Sequence, residues 1–72
     1  LIDFSLDHYD FISIDIVDIN GALVDRLINE NIASGSYITH WDASSFSTGI
    51  YFVRIISNRT KTAHLKKIIY LK

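Results

Sequence analysis

Apolar side chains in this 72-residue chain recur at every second position, a period that a pleated strand satisfies and an amphipathic helix does not. Ile2, Phe4 and Leu6 share one face of residues 2–6. Over residues 11–19, Ile12, Ile14 and Ile16 point one way, with Ser13, Asp15 and Val17 opposite. Residues 36–42 set Tyr37, Thr39 and Trp41 against Ser36, Ile38 and His40. Over 50–57, Tyr51, Val53 and Ile55 oppose Ile50, Phe52, Arg54 and Ile56, and a long terminal strand covers 60–71. Thirteen isoleucines and nine aromatics fit a half-buried pleated surface.

Polar segments separate these runs. His8-Tyr9-Asp10 is a turn, and Asp18-Ile19-Asn20-Gly21 a second. Asn20-Gly21 predicts a hairpin turn, since both residues tolerate positive φ. Residues 22–28 return as a strand of less certain facing, and Asn29 to Gly35 reads as a polar loop. The Asp42–Gly49 connection carries one apolar anchor, Phe46, and Asn58-Arg59 makes the last turn. Six short strands with tight turns predict an all-β antiparallel sandwich. Trp41 is expected between its two sheets, near Ile12, Ile14, Ile16, Tyr51, Val53 and Ile55. Gly35 and Gly49 are expected to hold backbone conformations that a side chain would forbid.

At this length there is one domain and no room for a deep catalytic cleft. Without cysteine there is no disulfide scaffold, thiolate metal site or thiol nucleophile. No apolar run approaches the roughly 20 residues of a membrane span, and the start lacks the basic region of a signal peptide. His8, His40 and His64 lack the spacing that offers two nitrogens to one metal, and His40 is expected in solvent. Asp7, Asp10, Asp15 and Asp18 are expected at the surface, with Asp10 and Asp18 bonding their own turns. Asp18-Ile19-Asn20-Gly21 resembles the start of a calcium loop, but the remaining EF-hand frame is missing. No nucleophile elbow is present. The reading is therefore of no enzyme and no cofactor.

Charge is unevenly spread. All eight acids lie in residues 1–42 beside Arg26, and the other six bases lie in 43–72. Two readings follow: acidic early strands paired with basic late ones, or a basic face for an anionic partner. A pI near 6.3 argues against nucleic acid.

Four motifs in order carry a family resemblance: Asp18-x-Asn20-Gly21; Gly35 followed by Trp41-Asp42-Ala43-Ser44; Gly49-Ile50-Tyr51-Phe52-x-Arg54; and a terminal Lys66-Lys67 strand running to Leu71-Lys72. The chain resembles, over nearly its whole length, the type A C-terminal sorting domain of type IX secretion cargo in Bacteroidota. It departs in having no proline near its start and in carrying Phe46 where the family more often has leucine. The resemblance implies an immunoglobulin-like sandwich of six to seven strands. It also implies that residues 1–72 are one sorting domain cut from the end of a larger secreted protein, with its first strand missing in whole or part. Any enzyme would be the cargo upstream. Implied partners are the outer-membrane type IX translocon and a sortase-like surface peptidase, with anionic lipopolysaccharide as acceptor of the cargo. The implied destination is the cell surface or medium, via the periplasm. The same sandwich resembles immunoglobulin-like domains of flagellar hook-capping proteins and accessory modules of secreted hydrolases, where it would be a spacer or binding module. A sorting signal must end the polypeptide, so Leu71-Lys72 at the end favours sorting. The terminal lysines are read either as gatekeepers of an exposed edge or as what a receptor grips.

Overall fold

The computed structural model describes residues 2–71. Its strands are β1 (Ile2–Leu6), β2 (Asp10–Asp18), β3 (Leu23–Ile32), β4 (Gly35–Thr39), β5 (Gly49–Ser57) and β6 (Thr62–Tyr70). They form two antiparallel sheets, one of order β3-β2-β5-β6 and one pairing β1 with β4. The architecture is thus the all-β sandwich that the alternation predicts, with two strands over four.

The expected facing of β2 and β5 holds. Ile12, Ile14 and Ile16 are at most 1 % exposed and cluster with Tyr51 and Val53. Ile2, Phe4 and Leu6 of β1 close over them from the second sheet. Burying each of these isoleucines contributes about 1.5–3 kcal/mol, and together they fix the register, because a one-residue slip would turn them all to solvent.

β3 differs from the expectation in length and in regularity. It runs on through Asn29, Glu30 and Asn31, so the predicted Asn29–Gly35 loop shrinks to Ala33-Ser34. Those polar residues suit an exposed edge strand, and Ser13 Oγ donates to Asn29 Oδ1 across the pair at 2.8 Å. Two register shifts interrupt the β2–β3 ladder: Ile14 faces Ile28 but Asp15 faces Arg26, and Ile16 faces Asp25 but Val17 faces Leu23. The extra residues, Leu27 and Val24, pack against the core. Such bulges bend and twist the strand that carries them, and they explain why residues 22–28 show no clean alternation.

The β2–β3 connection is a three-residue turn. Gly21 N–H donates to the Asp18 carbonyl and Asp18 N–H to that of Ala22, both at 3.0 Å. The expected hairpin turn is present, with the positive φ carried by Gly21, at 83°, and not by Asn20. Asp18 Oδ1 accepts from the N–H groups of Asn20 and Ala22, so Asp18 does bond its own turn. Asp10 does not. It is buried and accepts from Ser57 Oγ and from the Arg59 N–H, fastening the β5–β6 turn instead.

Gly35 has φ 145°, which side chains rarely adopt, and so meets its expectation. Gly49 does not, since its φ is not positive and an added Cβ would make only ordinary contact with the Tyr51 ring. A local repeat surrounds both glycines. In Ala33–Tyr37 and in Ser47–Tyr51 the tyrosine hydroxyl donates to the carbonyl four residues back, each at 2.6 Å, in the manner of the tyrosine corner of β-sandwiches.

Candidate docking surface

The register gathers most of the motif residues at one end of the sandwich. Asp18 of β2 lies opposite Tyr51 of β5, Tyr51 opposite Ile68 of β6, and Gly49 opposite Tyr70. The Asp18-Asn20-Gly21 turn, Gly49, Tyr51 and Leu71 therefore share that end, and the Trp41 ring reaches it from the chain after β4. Its centroid lies 5.1 Å from that of Tyr51, 5.6 Å from Phe46 and 6.3 Å from Tyr70. Trp41 packs against the core but is only half-buried, because it closes the end of the sandwich rather than filling its middle. Asp42 Oδ1 accepts from the Ser44 N–H at 3.0 Å, which starts the β4–β5 connection. That bond and one with the Ser44 side chain lower the carboxyl below its ordinary value. Gly35, facing Leu6, lies at the opposite end. Lys72 lies outside the described residues.

Arg54 belongs to an ion triad centred on the buried Asp15, on the outer face of the large sheet. Asp15, expected at the surface, is 0 % exposed. Its Oδ1 accepts from Arg26 Nε at 2.9 Å and its Oδ2 from Arg54 Nη2 at 3.1 Å. Burial pushes the Asp15 carboxyl up, but the two guanidiniums outweigh it and hold the carboxyl below its ordinary value. Asp15 raises the Arg26 pKa in return. The shift past Leu27 matters here: in an unbroken ladder Leu27, not Arg26, would face Asp15.

β6 is the other notable surface. Of the charge-pairing reading, Asp15–Arg54 survives as an ion pair and Arg59 also acts on Asp10, but Lys66 faces Val53, Lys67 faces Phe52, and neither lysine joins an ion pair among the described residues. Thr62 through Lys67 are exposed on both faces of the strand. Leu65 and Ile69, each 64 % exposed, form an apolar row on the outer face, and Leu71 is 76 % exposed just beyond. On the inner face a cleft of about 90 Å³ opens between β1 and β6, lined by Ile2, Asp3, Val53, Ile55, Lys66 and Ile68. Among the described residues no strand pairs with the outer side of β6. The lysines and Leu71 were legible as a basic, apolar tail, whereas the triad had no local signal because its members are 11 and 39 residues apart.

His8, His40 and His64 are all exposed and lie on different elements. No group of three potential metal ligands forms among the described residues. What this surface offers is charge, apolar area and free backbone.

A family model described as a secretion system C-terminal sorting domain matches residues 1–71. No curated protein and no solved structure matches the chain significantly.

Proposed function

The chain belongs to the secretion-system C-terminal sorting domain family, and from that premise we propose that its folded surface, rather than any catalytic group, is what the export machinery reads. A type IX sorting domain directs its cargo to the cell surface or medium. The finer course is our reading. Cargo reaches the periplasm, the folded domain docks on the outer-membrane translocon, and a surface peptidase then removes the domain by cutting upstream of it. The released cargo is transferred to anionic lipopolysaccharide.

The observation that supports this best is β6. A strand with a lysine on each face, no acid opposite either on β5 and neither lysine in an ion pair among the described residues is a feature the fold does not use for its own cohesion. The motif residues Asp18, Asn20, Gly21, Gly35, Trp41, Asp42, Gly49 and Tyr51 hold turns and packing, and in this reading they keep the docking surface in shape. Arg54 does so through Asp15.

The test is a fusion of residues 1–72 behind a signal peptide and a fluorescent reporter in a type IX-competent bacterium. The intact fusion should reach the surface or medium, and one lacking residues 66–72 should stay in the periplasm. In a strain without the surface peptidase, the exported reporter should retain the domain. Normal export of a folded fusion lacking 66–72 would show that the signal lies elsewhere.

A further inference from the structure

The large sheet has two edges, and they are built differently. β3 carries two bulges, which twist an edge away from regular pairing and blunt it. β6 pairs with β5 from Thr62 to Tyr70 without a register shift, so its outer side presents an evenly spaced row of unpaired backbone donors and acceptors. A regular free edge is a template for another strand.

The side chains beside that edge restrict what can join it. Successive residues of a strand face opposite sides, so Lys66 and Lys67 put one positive charge on each face of the sheet. A second copy of β6 laid antiparallel over this stretch would bring lysines against lysines, which is unfavourable. A strand with carboxylates at these positions would be drawn in on both faces, more weakly on the inner one, where Asp3 lines the same cleft as Lys66. Apolar residues on such a strand would meet Leu65 and Ile69 on the outer face and the Ile2–Ile55–Ile68 cleft on the inner one.

We propose that β6 is a strand-addition site for an extended segment of a partner in which two adjacent acidic residues, one on each face, are flanked by apolar ones. Backbone pairing supplies the geometry and the two lysines select the sign of charge. The assignment of that segment to the export machinery rests on the function proposed above; the strand addition itself does not.

The 72-residue chain is therefore tested with a probe peptide as long as β6, of valines flanking a central Glu-Glu pair, without any secretion component. Binding is followed by amide NMR and hydrogen exchange. The peptide should slow exchange of β6 amides by about tenfold or more and leave β3 amides unchanged. The same peptide with every amide N-methylated, and one with lysine for glutamate, should not bind. Lys66→Glu with Lys67→Glu should weaken the glutamate peptide by about tenfold and admit the lysine peptide. If that variant fails to fold, Lys66→Gln with Lys67→Gln should weaken the glutamate peptide severalfold. The proposal is overturned by no binding of the glutamate peptide, by equal binding of its methylated form, by protection on β3 or β1 instead of β6, or by glutamine variants that bind unchanged. Dimerisation of the unmodified chain through β6 would also overturn it. Export of the reporter fusion with no peptide binding would remove strand addition and leave sorting intact. Peptide binding without export would do the reverse.

Discussion

β2 and β6 are both nine residues long, and both pair with β5, on opposite sides. Their burial is opposite. From Ile14 to Val17 every residue of β2 is buried, Asp15 included, whereas from Thr62 to Lys67 every residue of β6 is exposed. Length, strand type and partner are shared, so the contrast comes from what lies around each strand. β2 has a neighbour on each edge, isoleucines under the second sheet, and two arginines over its outer face. β6 has one neighbour and lies largely uncovered. One strand holds the domain together, and the other is left free to be used.

The sharpest test of this contrast is a pair of truncations. Ile14→Ala should cost about 3–4 kcal/mol, a large part of the total for a domain of this size. Leu65→Ala should stay within about 0.5 kcal/mol. Urea unfolding measures both, and similar losses would abolish the distinction.

A smaller effect is expected at the turn that joins β2 to β3. A Cβ at Gly21 would meet nothing within 4 Å, so any cost of Gly21→Val is backbone strain at φ 83°. We expect about 1–2 kcal/mol. An unchanged melting temperature would mean that the turn relaxes without consequence.

Acid should act on β2 and spare β6. The Asp10 carboxyl is lowered chiefly by Ser57, against the opposing effect of burial, and that of Asp15 by Arg26 and Arg54. A carboxyl lowered by folding stabilises the native state above its unfolded pKa, near 3.8, and that contribution is lost as pH falls through the folded value. Stability should therefore be level above about pH 5 and decline below about pH 4. Asp15→Asn should be less stable at neutral pH and show a shallower acid decline. An unaltered acid limb in that variant would take Asp15 out of the account.

The smallest change is expected from Lys66→Glu with Lys67→Glu, which should leave stability within about 0.5 kcal/mol. A larger loss would show that the lysines serve the fold after all.

The same contrast governs how much could be read in advance. β1, β2 and β5 are legible because one face of each is buried and the alternation is unbroken. β3 is not, because Val24 and Leu27 are extra residues whose place depends on the partner strand. Asp15 was misplaced for a different reason. Alternation correctly puts it on the outer face, but that face is closed locally by guanidiniums from β3 and β5, and no pattern around residue 15 records them. Asp10 was assigned to its own turn, although its partners lie 47 and 49 residues away. Trp41 belongs to the core as expected, yet the aromatic ring of Phe46 and those of Tyr51 and Tyr70 set it at the end of the sandwich. The basic tail was legible, but that β5 sets no acid opposite either lysine became visible only with the register.

The bulges at Leu27 and Val24 have a further consequence for a domain that leaves a cell attached to cargo. β3 carries Asp25 and Glu30, opposite in sign to the lysines of β6. Were both edges regular, the β3 of one molecule could accept the β6 of the next. A head-to-tail contact of that kind grows into open fibres unless its rotation happens to close a ring. Deleting Val24 and Leu27 would restore an even ladder and, since Arg26 already faces Asp15, leave the ion triad in place. Two misfit residues on one edge thus deny a regular partner strand to the open edge of another copy.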